Sequence, residues 1–248
     1  MRRTLAALLV SLGLAASHGM ADGPDADPML VDIGVWDLPL ALSPSLEGRR
    51  DFIEEMLLSA QRRVRDFARR HKWHRQVAEP LAQRAAVYAD KARFDLALIK
   101  LQGGKARKIP KTRVAALQGD ALLLAAPEVY KDLAAEGIET DSYEKLMAHE
   151  LAHGLHSRLL DGNDDLAGPE WFREGFAVYA ANQYELLQED PDLDLIHRTL
   201  AGTPAGHQVY GAVVRHFARR VPLADLVRRA YLPTFRSWLL QLETAQGQ

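Results

Sequence analysis

The chain has 248 residues, 48% of them hydrophobic and 26% charged, which suits one sizeable folded domain or two small ones. Thirty-one basic against thirty-three acidic residues give a net charge of −2, so no overall field recruits nucleic acid or a membrane surface. With no cysteine, disulfides, a thiolate metal site and a Cys nucleophile are excluded.

The N-terminus reads as a secretory signal, residues 1–21. Arg2 and Arg3 precede an apolar run from Leu5 to Ala16, and small residues lead to a cleavage point after Ala21. The run is short for a membrane span, so the expected location is periplasmic or secreted, with no stable membrane insertion after signal removal. Residues 22–48, rich in Pro, Gly and Asp, read as an extended lead-in, with a short strand over Met29–Val35.

Arg49–Trp73 has helical spacing of apolar residues from Phe52 to Ala68 and a solvated face of mixed charge. His71 and His74 near its end read as a surface pair. Ala85–Ala89, Val114–Leu117 and Ala121–Ala126 read as strands, with a helix over Lys91–Leu101 and an exposed turn over Gln102–Lys111. Glu128–Ala135 starts another helix after Pro127.

The next helix carries the chemistry. Asp141 stands at its start with Glu144 three residues on, a capping-box-like pair, and no Pro or Gly interrupts Ser142–His153. Within it lies His149-Glu150-Leu151-Ala152-His153. Residues four apart share a helix face, so both imidazoles can point at one ion with Glu150 beside them. His156, seven residues after His149, falls on the same broad face as an outer partner or a packing residue. The acidic stretch Asp161–Gly168 lacks the calcium-loop pattern and reads as a polar surface turn.

Catalytic zinc generally takes three protein ligands plus water. A third ligand can come from Pro169-Glu170-Trp171-Phe172-Arg173-Glu174-Gly175-Phe176-Ala177, a helix expected to run to about Leu187. Glu170 and Glu174 share a face of it, and the spacing alone does not separate them. A loop over Glu189–Gly206 and a helix over His207–Arg220 follow, then two helices broken near Pro233.

His149-Glu-Leu-Ala-His153 followed by Trp171-Phe-Arg-Glu174-Gly-Phe-Ala resembles the gluzincin metallopeptidases, and within them the zinc aminopeptidase branch. The resemblance implies His149, His153 and Glu174 as zinc ligands and Glu150 as general base. It also implies an oxyanion donor after the third ligand, for which Tyr210 and His207 both qualify. In such enzymes a strand edges the cleft; Ala121–Ala126 is either that strand or a buried core strand. The Gly-x-Met-Glu-Asn stretch with which the aminopeptidases hold a substrate's amino terminus is absent from this sequence.

The expected fold is α+β, zincin-like: a small mixed sheet, mostly antiparallel, on the active-site helix, and a helical C-terminal half. Residues 22–80 form the lead-in and amphipathic helix, and 81–248 the peptidase-like domain. The expected function is hydrolysis of peptide bonds in a peptide or unfolded protein. The alternative is an inactive, zinc-stabilised binding module.

Overall fold

The computed structural model describes residues 38–104, 108–133, 139, 141–185 and 190–244. The expected signal sequence and the expected strand over Met29–Val35 lie outside them. Among the described residues no helix is long and apolar enough to cross a membrane.

The fold is mixed α and β: many helices around a small four-stranded mixed sheet. The strands are β1 (Leu40–Leu42), β2 (Arg84–Tyr88), β3 (Ala115–Gln118) and β4 (Ala121–Ala125), in the order β1-β2-β4-β3. β1, β2 and β4 run parallel, and only β3 is antiparallel to its neighbour. The expectation of a mostly antiparallel sheet is therefore corrected. Long helical connections separate the parallel strands, whereas Gly119-Asp120 joins β3 to β4 as a hairpin.

β4 is the sheet's apolar centre. Leu122 and Leu124 enter the main core, while Ala121, Leu123 and Ala125 face a smaller core with Phe94 and Leu98. The latter two belong to α2 (Lys91–Leu101), which covers that face of the sheet. A strand buried on both faces needs an unbroken apolar run, and Ala-Leu-Leu-Leu-Ala supplies one. β4 is thus the core strand of the two readings, and β3 is the edge.

On the other face, α1 (Arg50–Arg70) and α4 (Ser142–Leu159) pack together. Ile53, Leu57, Val64 and Phe67 of α1 meet the same core as Met147, Leu151 and Leu155 of α4. Arg63 binds Glu144 at 2.8 Å across this contact. The far end of α4 is fastened by Arg158, which donates to the carbonyls of Gln76, Glu79 and Pro80. The Asp141 side chain makes no capping bond; its backbone is left-handed, with φ +56°.

α3 (Pro127–Leu133) precedes α4, and α5 (Glu170–Ala181) follows it. α5 stops earlier than the expected Leu187, because Asn182 turns left-handed. The presumed loop at 189–206 contains α6 (Leu193–Leu200), capped by the Asp192 side chain on Leu195 N–H. Helices α7 (His207–Ala218), α8 (Leu223–Arg229) and α9 (Phe235–Thr244) complete the described chain.

Candidate metal centre

His149 and His153 lie one turn apart on α4, and α5 lies across them with Glu174. His149 Nε2 and His153 Nε2 are 3.1 Å apart. Glu174 Oε2 stands 3.2 Å from the first and 3.3 Å from the second. These three groups can hold a metal ion; among the described residues they form the cluster of that kind. Atoms about 2.0–2.1 Å from a tetrahedral zinc are about 3.3–3.4 Å from each other, so the triangle has the size of one face of that tetrahedron.

Electrostatics agree with the geometry. Burial opposes a charge on His149, but its hydrogen bond to Glu174 and the carboxylates of Glu150 and Glu174 outweigh burial and raise its pKa. Burial also opposes a charge on Glu174, but hydrogen bonds to His149 and His153 hold it well below the usual carboxylate range. The site therefore favours positive charge at the point where the three atoms converge. Glu174 Oε1 faces away, 3.0 Å from the Arg173 guanidinium, which leaves Oε2 for the cluster.

Glu150 does not join the three. Its Oε2 accepts from the Leu117 N–H of β3 at 3.1 Å. Backbone groups of an antiparallel edge strand alternate between partner and free side. Ala125 N–H donates to Val114 C=O, so Ala116 and Gln118 turn towards β4 while Ala115 and Leu117 turn outwards. The free edge of β3 forms a wall of a groove of about 880 Å³, which also contains His149, Glu150, His153 and Glu174.

Of the two proposed oxyanion donors, the structure brings one to the cluster. His207, at the first turn of α7, is exposed at the groove with Nε2 3.9 Å from Glu174 Oε2. Tyr210 is buried, and its hydroxyl accepts from Ala205 N–H at 3.0 Å, outside the groove lining. The approach of α7 depends on two glycines. A Cβ on Gly175 would stand 2.4 Å from Tyr210 O, and one on Gly211 would stand 2.3 Å from Val178 Cγ1.

Glu170 lines the groove but stays out of the cluster, which resolves the choice left open by the spacing. His156 is a core residue. It stacks on Phe176 with ring centroids 4.6 Å apart, and its Nε2 has no hydrogen-bond partner among the described residues. Burial, with the charges of His153 and Arg173, pushes its pKa down to about 4. His71 stacks on Trp73, and His74 is exposed; the two join no metal-holding group among the described residues. In the acidic turn, Asp164 accepts from Ser157 Oγ at 2.8 Å.

Three contributors carry no signal that spacing reveals. Arg173 sits inside the motif but shows its part only through Oε1 of Glu174. Leu117 acts through its backbone. Gln183, whose Oε1 lies 2.8 Å from His149 Nδ1, follows the end of α5 by two residues. Comparison with protein-family models, curated proteins and solved structures gives no match.

Proposed function

We propose that this chain is an exported zinc metallopeptidase of gluzincin type, with a zincin-like domain, that hydrolyses peptide bonds in an extended peptide or unfolded segment. The observation that carries the reading is the His149–His153–Glu174 triangle, with sides of 3.1 to 3.3 Å, beside a glutamate fixed to a sheet edge. The basic and then apolar N-terminal sequence supports export.

His149, His153 and Glu174 hold the ion. When bound, zinc supplies Lewis acidity, lowering the pKa of a coordinated water from about 15.7 to about 7 and polarising the scissile carbonyl. Glu150 accepts the proton released from the attacking water and returns it to the leaving amine. Its Oε2 is held by Leu117 N–H, so its orientation is set before substrate arrives. His207 donates to the oxyanion. The substrate backbone runs along β3 and pairs with the outward groups that Glu150 does not occupy, those of Ala115 and the Leu117 carbonyl, which gives affinity tolerant of side-chain sequence.

An intact general base favours catalysis over a zinc-stabilised binding module, because a structural metal needs none. The test is cleavage of a mixed peptide library by zinc-loaded protein, read by mass spectrometry, with Glu150→Gln prepared identically. Cleavage that vanishes in the variant establishes the peptidase. Equal traces from the two, with zinc present in both, would reject library hydrolysis and put the binding module first.

A further inference from the structure

The contact between His149 and Gln183 is buried, each residue being only 6% exposed. An amide oxygen accepts and cannot donate, so the 2.8 Å contact places the imidazole proton on Nδ1. In the neutral ring that a metal ion requires, Nε2 then keeps its lone pair for the point shared with His153 and Glu174.

Gln183 is held in place by more than helix α5. Its neighbours Asn182 and Tyr184 both have left-handed backbones, with φ +53° and +55°. Side chains other than glycine adopt that region rarely, and two such residues in three persist only where surroundings enforce them. Here Asn182 N–H donates to Tyr179 C=O at 3.2 Å, and Gln183 N–H to Val178 C=O at 3.1 Å. Tyr184 N–H donates to Glu139 Oε1 at 2.8 Å. Glu139 Oε2 in turn accepts from Lys145 Nζ at 2.8 Å, an ion pair largely shielded from solvent. Lys145 lies one turn before His149 on α4. The turn that presents Gln183 is thus tied back to the helix that carries the histidines, through bonds that involve none of the three ligands.

Resting on the metal-site reading above, we infer that Gln183 is a positioning residue of the centre. It selects the His149 tautomer whose Nε2 faces His153 and Glu174, and the Glu139–Lys145 pair holds the turn that presents it. Outer partners of ligand histidines typically change metal affinity about 10- to 100-fold when removed. A neutral carboxamide also leaves more of the ion's charge in place than a carboxylate would.

The test is zinc affinity of the full chain, measured by chelator competition at fixed pH, for wild type, Gln183→Leu and Gln183→Glu. Metal-free unfolding is recorded for each. Gln183→Leu is expected to bind zinc about 10- to 100-fold more weakly. Gln183→Glu, whose carboxylate accepts the same Nδ1 proton, is expected to equal or exceed wild type. A residue that served packing alone would not give this ordering. Equal affinity in wild type and Gln183→Leu overturns the assignment and leaves the metal centre standing, as does equal weakening in both variants. A wild-type protein that takes up no zinc overturns the metal reading and this inference together.

Discussion

Glu150 and Leu117 are joined directly: the Leu117 N–H of the edge strand donates to Glu150 Oε2 at 3.1 Å. The proposed base and the proposed substrate strand are therefore one mechanical unit. Glu150→Gln preserves shape and an accepting oxygen but not basicity. We expect hydrolysis to fall by about 10²–10⁴-fold with zinc content unchanged. Metal analysis beside initial rates checks this, and a variant that lost its metal would show Glu150 to be a ligand instead.

Metal removal is expected to reduce stability. At zinc concentrations about 1,000 times the dissociation constant, binding adds about 4 kcal/mol, which is about 8–16 °C in melting temperature for a chain of this size. Glu174→Gln and His153→Ala are expected to erase most of the difference between zinc-loaded and chelator-treated melting curves. A zinc-dependent shift as large as wild type's in both variants would remove them from the centre.

His207 and Tyr210 separate in two measurements. His207→Phe removes a donor at the groove and is expected to lower the rate about 10²–10³-fold while metal content holds. Tyr210→Phe removes the bond to Ala205 N–H and is expected to lower stability by about 1 kcal/mol with little change in rate. The reverse pattern would return the donor role to Tyr210.

His156 gives a pH dependence whose sign is fixed by its environment. Its folded pKa of about 4 lies below the ordinary 6.5, so the unfolded chain binds more protons between those values. The stability due to the neutral ring is complete above pH 6.5 and is lost as pH falls towards 4. The slope is at most about 1.4 kcal/mol per pH unit. Urea unfolding of the metal-free protein from pH 7.5 to 4.5 should show a shallower loss in His156→Phe than in wild type. Parallel curves would refute the assignment.

Gly175 and Gly211 should differ in tolerance. A methyl on Gly175 strikes the backbone carbonyl of Tyr210, whereas one on Gly211 meets a valine side chain. Overpacking typically costs about 1–3 kcal/mol. Gly175→Ala is expected to exceed Gly211→Ala in lost stability and to weaken zinc binding through Glu174. Chemical denaturation with metal titration of both variants decides.

The His149–His153–Glu174 cluster was legible because its geometry is local: His149 and His153 need only one helix, and Glu174 only a second helix at a workable distance. The sheet was less legible because pairing is non-local. β1 is three residues in a proline-containing stretch and is recognisable mainly through its parallel partner β2. The place of β4 could have been read from its unbroken apolar run, since an edge strand has no need of five buried residues. α6 is short, and its signal is the capping Asp192 before Leu193 and Ile196. Gln183 was out of reach, because its position depends on two left-handed residues and a distant ion pair.

The hairpin that delivers β3 places the groove wall under the control of a two-residue turn. Register in such a hairpin is set by the turn itself, and a slip of one residue exchanges inward and outward groups. One residue inserted between Gly119 and Asp120 could thus swing the Leu117 N–H towards β4 and unmoor Glu150. The contact that joins the strand to this glutamate would be lost, with His149, His153 and Glu174 still in their places.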